Sequence, residues 1–285
     1  MTHKRQITLK DGTVLPAIGQ GTWNMGDDSS RRQEEIDALK YGVELGMTVI
    51  DTAEMYGEGR SELLVGEAIQ GIRDQVFLVS KVYPHNAGGD SLIRSCEQSL
   101  NRLGTDVLDL YLLHWRGRIP LEDTIQGMEK LVQDGKIRRW GVSNLDTKEM
   151  QEMIKLPNGD HCATNQVLYH LGSRGIEVDL LPWQQEQGMP VMAYSPLAQA
   201  GSLRSELTTD ATVQQIAEQH GVHPFQVLLS WCIRDGNVLA IPKASSRSHV
   251  ESNAQAAELM LSEDEINQLN QAFPAPDHKV SLDII

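Results

Sequence analysis

The sequence is short of positive charge, short of cysteine and free of any long apolar run, and each shortage excludes a class of function. Acidic residues outnumber basic ones 39 to 25, for a net charge of −14 and a pI near 5.0. A nucleic-acid binder draws its affinity from lysine and arginine neutralising phosphates, so that class is disfavoured. A small anionic cofactor is not, because one or two well-placed cations hold a phosphate locally. The three cysteines, Cys96, Cys162 and Cys232, lie far apart and form no C-x-x-C. That spacing suits neither a disulfide framework nor a metal centre; it reads as buried free thiols in a reducing compartment. No apolar run approaches the ~20 residues that span a bilayer, and "MTHKRQITLK" lacks the apolar stretch of a secretory signal. The expectation is a cytoplasmic protein with no membrane or nucleic-acid partner. It is also expected to be a monomer, since nothing reads as an interface stripe.

What is present is a core-sized chain with a regular rhythm. At 285 residues, 40% apolar and 22% charged, it falls in the range of one large α/β domain. "QITLKDGTVLP" sets Asp11-Gly12 between alternating apolar residues, a hairpin signal covering about residues 5–16. Eight strand candidates follow: "AIGQGTW", "TVIDTA", "VFLVSKV", "VLDLYLLH", "IRRWGVSN", "CATNQVLYH", "VMAYSPLA" and "VLAIPKAS". Helical patterns separate them, as in "DSLIRSCEQSLNRLG", where Leu92, Ile93, Cys96, Leu100 and Leu103 share a face and Gly104 marks the stop. Two helical patterns, "ATVQQIAEQHG" and "PFQVLLSWCIRDG", lie between the last two strands. Strict alternation leaves an open doubly wound sheet or a closed (β/α)8 barrel. The dinucleotide fingerprint G-x-G-x-x-G is missing: "GQGTWNMG" has Gly19 and Gly21 but no third glycine at the right spacing. The expectation is a (β/α)8 TIM barrel with an N-terminal β-hairpin plug and no Rossmann domain, one domain over residues 1–285.

In such a barrel chemistry gathers where the strands end at their C-terminal rim. Asp51 ends the second strand with Tyr56 just beyond, the third carries Lys81, and the fourth delivers His114 and Trp115. Later strands end in Ser143-Asn144, Asn165-Gln166, Tyr194-Ser195 and Lys243. Singly, each has a bland reading: a lysine that snorkels, a core histidine, a helix-capping aspartate, a packed tyrosine. Independent accidents do not all fall at one rim. A phenol has a pKa of about 10 and parts with its proton reluctantly near neutral pH. A lysine ammonium beside it favours the phenolate, and a carboxylate keeps that buried ammonium charged. A neutral imidazole alongside can orient a carbonyl oxygen. Asp51, Lys81, Tyr56 and His114 thus read as a device that protonates a carbonyl while a cofactor delivers an electron pair to carbon. No metal-ligand cluster is evident.

The blocks "LPAIGQGTW", "VIDTAEMYGEG", "LVSKV", "LDLYLLHW", "IRRWGVSN", "NQVLYH", "AYSPLA" and "IPKA" occur in an order and spacing that resemble the aldo-keto reductase superfamily over essentially the whole chain. The resemblance implies reduction of aldehydes or ketones with NADPH, or less favourably NADH. Tyr56 would be the general acid, tuned by Lys81 and Asp51, with His114 positioning the carbonyl. Ser143, Asn144 and Gln166 would hold the cofactor's carboxamide, and Tyr194 would stack on the nicotinamide. Ser195 and Leu197 of "SPLA" would approach the pyrophosphate. Lys243 would pair with the 2′-phosphate, Ala244 and Ser245 would also lie at the cofactor, Asn253 would meet the adenine, and Trp23 and Trp115 the substrate.

One position departs from the family. An arginine is expected six residues past the "IPK" lysine; here it is His249, with Arg247 two residues earlier. Histidine is a weaker and pH-dependent phosphate partner than arginine, so Arg247 is the expected substitute. The substrate class implied is small dicarbonyls such as methylglyoxal, with sugar-derived diketones as competitors. The segment from about 272 to 285, Ala272 followed by "FPAPDHKVSLDII", reads either as a specificity element or as a solvated terminus. A different class, a nicotinamide-binding regulatory protein of the same fold, is the alternative.

Overall fold

The chain opens on an antiparallel hairpin, β1 (Gln6–Thr8) and β2 (Val14–Pro16), in the computed structural model, which describes residues 4–199 and 201–284. Residues 1–3 and 285 of the expected domain, and Ile285 of the C-terminal segment, lie outside the described residues. Leu9 N donates to Thr13 O at 2.9 Å, so the turn falls at Lys10, Asp11 and Gly12, as the Asp-Gly pair predicts. Ile7, Leu9 and Leu15 are buried. Arg139, just before a barrel strand begins, grips Asp11 at 2.6 Å. The hairpin therefore covers the N-terminal end of the barrel, away from the rim that carries the polar residues.

All eight expected strands form one parallel sheet: β3 (Gln20–Gly21), β4 (Val49–Asp51), β5 (Phe77–Val82), β6 (Leu110–Leu113), β7 (Trp140–Ser143), β8 (Asn165–Leu168), β9 (Val191–Tyr194) and β10 (Val238–Ala240). Neighbours follow chain order. The two ends meet through a parallel bridge between Ile18 and Ala240, with Ala240 N donating to Ala17 O at 2.9 Å and Gly19 N to Ala240 O at 2.8 Å. Closure removes the free edges. It also explains "GQG": a Cβ on Gly21 would lie 2.7 Å from the Ile241 carbonyl oxygen, so the seam needs glycine. The motif is a closure point and not a fragment of a dinucleotide fingerprint.

Every position of β5 is buried, as expected of a strand covered on both faces. One helix follows each of the first six barrel strands: α1 (Arg32–Glu44), α2 (Arg60–Ile69), α3 (Gly89–Leu103), α4 (Leu121–Gln133), α5 (Thr147–Met153) and α6 (Leu180–Glu186). On α3 the buried set Leu92, Cys96, Ser99, Leu100 and Leu103 has the spacing of one helical face, and Gly104 at φ 64° ends it. Each fully buried leucine there contributes roughly 1.5–3 kcal/mol. A capping box between Asp146 and Glu149 starts α5.

Three helices separate β9 from β10, where sequence suggested two: α7 (Ser202–Thr209), α8 (Ala211–His220) and α9 (Pro224–Cys232). Helix α7 buries only Leu207 and so carries no apolar stripe to read. Helices α10 (Arg247–Ala256) and α11 (Glu263–Ala272) complete the chain. Cys96, Cys162 and Cys232 are free and buried, and burial pushes their thiols up to about 12, which makes them inert. Among the described residues no helix is long and apolar enough to cross a membrane.

Candidate active site

The strands deliver their polar residues to one cavity of about 440 Å³ at the C-terminal rim. Asp51 is the last residue of β4, His114 directly follows β6, Ser143 ends β7 and Tyr194 ends β9. Tyr56 opens a tight turn, Tyr56–Gly59, in which Gly57, Glu58 and Gly59 all take positive φ (57°, 55° and 90°). Glycine at two of these three positions makes the turn affordable, and a Cβ on Gly59 would come within 2.6 Å of Arg102 Cδ. The sequence "YGEGR" thereby fixes where the phenol stands.

Lys81 is wholly buried behind Tyr56. Its Nζ donates to Asp51 Oδ2 at 2.7 Å, to the Thr52 carbonyl at 2.8 Å and to Tyr56 Oη at 3.2 Å. All three ammonium hydrogens are accounted for. Burial pushes the pKa of this lysine down, but Asp51 and Tyr56 together outweigh it and raise the value above that of an ordinary lysine. Asp51 Oδ1 accepts from Gln166 Nε2 at 2.8 Å, so both carboxylate oxygens are engaged.

Sequence reasoning expected Lys81 to bring the Tyr56 pKa below its usual value. The structure corrects the net sign. Burial is the larger effect and holds the phenol above 10; Lys81 opposes it, and Asp51 adds slightly to the rise. The phenol is therefore fully protonated at neutral pH, and the ammonium offsets part of what burial costs the phenolate. His114 sits edge-on to Tyr56 with ring centroids 5.8 Å apart. Burial and then Lys81 push its pKa down to about 3, so the imidazole is neutral. Its Nδ1 is buried without a hydrogen-bond partner among the described residues.

Asp51, Tyr56 and His114 line the cavity, and Lys81 acts from behind the wall. Ser143, Asn144, Gln166 and Tyr194 form one linked cluster: Ser143 Oγ donates to Gln166 O at 2.7 Å, and Tyr194 Oη to Asn144 Oδ1 at 2.9 Å. Asn144 Nδ2 in turn reaches the His114 carbonyl at 3.2 Å. Asn144, Ser195 and Ala198 hold positive φ (59°, 48° and 57°), strain that non-glycine residues keep at functional rims. Ser195, Leu197, Lys243, His249 and Asn253 also line the cavity, as do Trp23 and Trp115. Ala244, Ser245 and Arg247 are not part of its wall. Arg247 instead stacks 3.6 Å over the Tyr41 ring of α1, and Tyr41 bonds Glu251. No group of three or more candidate ligands for a metal ion occurs among the described residues.

Several wall residues carried no sequence signal. Arg204 on α7 donates to the Leu197 and Ala198 carbonyls, bracing the "SPLA" turn, and Phe225 on α9 lines the same cavity. Both come from helices far from the strand-end motifs. Ile284, in the C-terminal segment, also reaches the cavity, while Lys279 pairs with Asp179 at 2.6 Å and Asp283 with Ser173. That segment is tied down by these contacts, although most of its residues stay exposed.

The chain is 58% identical to methylglyoxal reductase YeaE of Escherichia coli over 283 residues, 99% of this chain and 100% of that one. It is 33% identical to glyoxal reductase of Bacillus subtilis over 270 residues, 94% of this chain and 92% of that one. Among solved structures, an aldo/keto reductase from Klebsiella pneumoniae, in complex with NADP and acetate and again with NADPH, matches at a TM-score of 0.97 with 55% identity. Each match covers 99% of this chain and 100% of that one. The model of the aldo/keto reductase family matches residues 17–273, and with it the barrel and its rim find their place: this chain belongs to the aldo/keto reductase family.

Proposed function

We propose that the protein reduces small aldehydes and ketones, methylglyoxal among them, to alcohols with NADPH. The observation that carries this reading is the Lys81 ammonium, compensated by Asp51, held 3.2 Å from a Tyr56 hydroxyl beside a neutral imidazole in one cavity. The relatives named above as methylglyoxal and glyoxal reductases, and the Klebsiella structures with NADP and NADPH bound, support it.

The cavity wall fits a nicotinamide dinucleotide. An amide-recognising cluster stands beside an aromatic ring at Ser143, Asn144, Gln166 and Tyr194, and a lysine without a carboxylate partner among the described residues lies on the same wall at Lys243. In this reading the first three hold the carboxamide, with Gln166 contributing Oε1 because its Nε2 serves Asp51. Tyr194 packs on the nicotinamide, Ser195 and Leu197 approach the pyrophosphate, Lys243 with Ala244, Ser245 and His249 meets the 2′-phosphate, and Asn253 meets the adenine. When bound, NADPH supplies the hydride that adds to the carbonyl carbon. Tyr56 gives its proton to the carbonyl oxygen as charge grows there. Lys81 stabilises the phenolate that remains, and Asp51 keeps Lys81 charged. His114 fixes the carbonyl oxygen against Tyr56. Trp23 and Trp115 flank the substrate, and residues 272–284 help select it. The three buried free thiols fit a reducing compartment such as the cytoplasm.

The test is a steady-state comparison of NADPH and NADH oxidation across methylglyoxal, glyoxal, aromatic aldehydes and diketo-sugar acids. Turnover with NADPH, strongest on small dicarbonyls, is expected. Tight NADPH binding with no turnover on any carbonyl would overturn the reading in favour of a regulatory nicotinamide-binding protein.

A further inference from the structure

The phosphate-binding end of the cavity leaves a charge unaccounted for. Lys243 stands there without a carboxylate partner among the described residues, and Arg247, the arginine nearest to it in sequence, is committed to the Tyr41 ring. His249 lines the wall, but an imidazole lacks the forked donors of an arginine. Another arginine reaches this end from elsewhere in the fold. Arg31, in the short 3-10 turn Ser29–Arg31 ahead of α1, extends its Nη2 to Ser245 Oγ at 2.9 Å.

The neighbouring arginine shows that this placement is particular. Arg32 turns the other way and forms a two-pronged pair with Glu67, at 3.1 and 2.6 Å. Among the described residues the one carboxylate paired with Arg31 is Glu34, at 3.4 Å, and both side chains are about half exposed, so that pair binds weakly. Its guanidinium is free to exchange a serine hydroxyl for a stronger acceptor. Ser245 follows Lys243 by two residues and precedes α10, whose Ser246 N-cap makes no side-chain bond to the first turn. An anion at Ser245 would thus meet a forked guanidinium beside uncapped helix amides, two residues along the chain from Lys243.

We propose that Arg31 is the second cation for the cofactor's 2′-phosphate, supplied from the turn ahead of α1 in place of the arginine that His249 replaces. The inference rests on the NADPH reading given above. Arginine stays charged at every physiological pH and grips a phosphate with a forked pair of donors, so Arg31 supplies what the missing arginine would.

Calorimetric titration of wild type, Arg31→Ala and Arg247→Ala with NADP+, NAD+, 2′,5′-ADP and 5′-ADP tests this without turnover. Arg31→Ala is expected to weaken NADP+ and 2′,5′-ADP by about ten- to a hundredfold, the loss of a charge-assisted hydrogen bond. NAD+ and 5′-ADP should change by less than about twofold. Arg247→Ala should leave the NADP+/NAD+ ratio near wild type. Arg31→Lys, which keeps charge and loses the fork, should fall between. An unchanged NADP+/NAD+ ratio in Arg31→Ala, or an equal loss for all four ligands, would overturn the inference while leaving the NADPH reading intact. A wild type that binds NADP+ no more tightly than NAD+ would overturn the NADPH reading itself, and this inference with it.

Discussion

Gln166 Nε2 donates to Asp51 Oδ1 at 2.8 Å, taking the carboxylate oxygen that Lys81 leaves free. A residue expected to serve only the cofactor is thereby also part of the frame that holds the proton-donating pair. The side chains proposed for proton donation and for cofactor binding share one buried network, spanning β4, β5 and β8.

Asp51→Asn should expose how that network is balanced. Lys81 would remain buried with no charge to compensate it, and its raised pKa would fall. The expected outcome is a kcat lowered by at least tenfold and a stability loss of about 3–5 kcal/mol, the usual consequence of breaking a buried ion pair from one side. The double variant Asp51→Leu with Lys81→Met removes both charges and should recover most of the stability with none of the activity. Urea unfolding and steady-state rates on the three proteins check this; a single variant as stable as wild type would contradict it.

Two buried histidines set the acid limb of stability. His114 is pushed from 6.5 down to about 3 and His170 from 6.5 to about 4, both chiefly by burial. Their folded-state values lie below the unfolded ones, so between the two the unfolded chain binds more protons. Each histidine's contribution is then present in full above about 6.5 and is lost as pH falls toward 4 and 3. His114→Gln and His170→Gln should each flatten the fall in stability between pH 6.5 and 4, whatever they do to stability at pH 7. Thermal melts across that range are the measurement, and an unchanged slope would contradict the assignment. Carbonyl reduction should likewise show no step from His114 between pH 5 and 8.

The barrel seam makes a steric prediction. Gly21→Ala puts a methyl 2.7 Å from the Ile241 carbonyl oxygen, which must shift together with the strand leading to Lys243. Crowding of this kind costs about 1–3 kcal/mol. A lowered melting temperature is expected together with weaker cofactor binding, because the shifted strand carries Lys243. Full stability in Gly21→Ala would mean that the seam is looser than described.

Much of the fold was legible because its signals are local. The eight strands read as short apolar runs, Gly104 ended α3, and the Asp11-Gly12 turn announced the hairpin. The rim residues were legible because a barrel brings all strand ends to one face, so position in a strand was enough to place Asp51, His114 and Ser143. What escaped depends on distance and burial. Helix α7 offers one buried side chain and no stripe, so Arg204 came without warning. Arg31 and Ser245 are 214 positions apart, and only the closed barrel makes them neighbours. Arg247 was expected at the cofactor, but its sequence position does not reveal that the Tyr41 ring holds it. The net sign of the Tyr56 shift also escaped, because the lysine is visible in the sequence and the depth of burial is not.

The central claim is that Tyr56 hands its proton to the substrate oxygen during hydride transfer. Single-turnover loss of NADPH fluorescence in Tyr56→Phe, with methylglyoxal in excess, tests it most directly. The account predicts hydride transfer slowed by about 10²–10⁴-fold with the NADPH dissociation constant within a few-fold of wild type. Hydride transfer at the wild-type rate in that variant would contradict it.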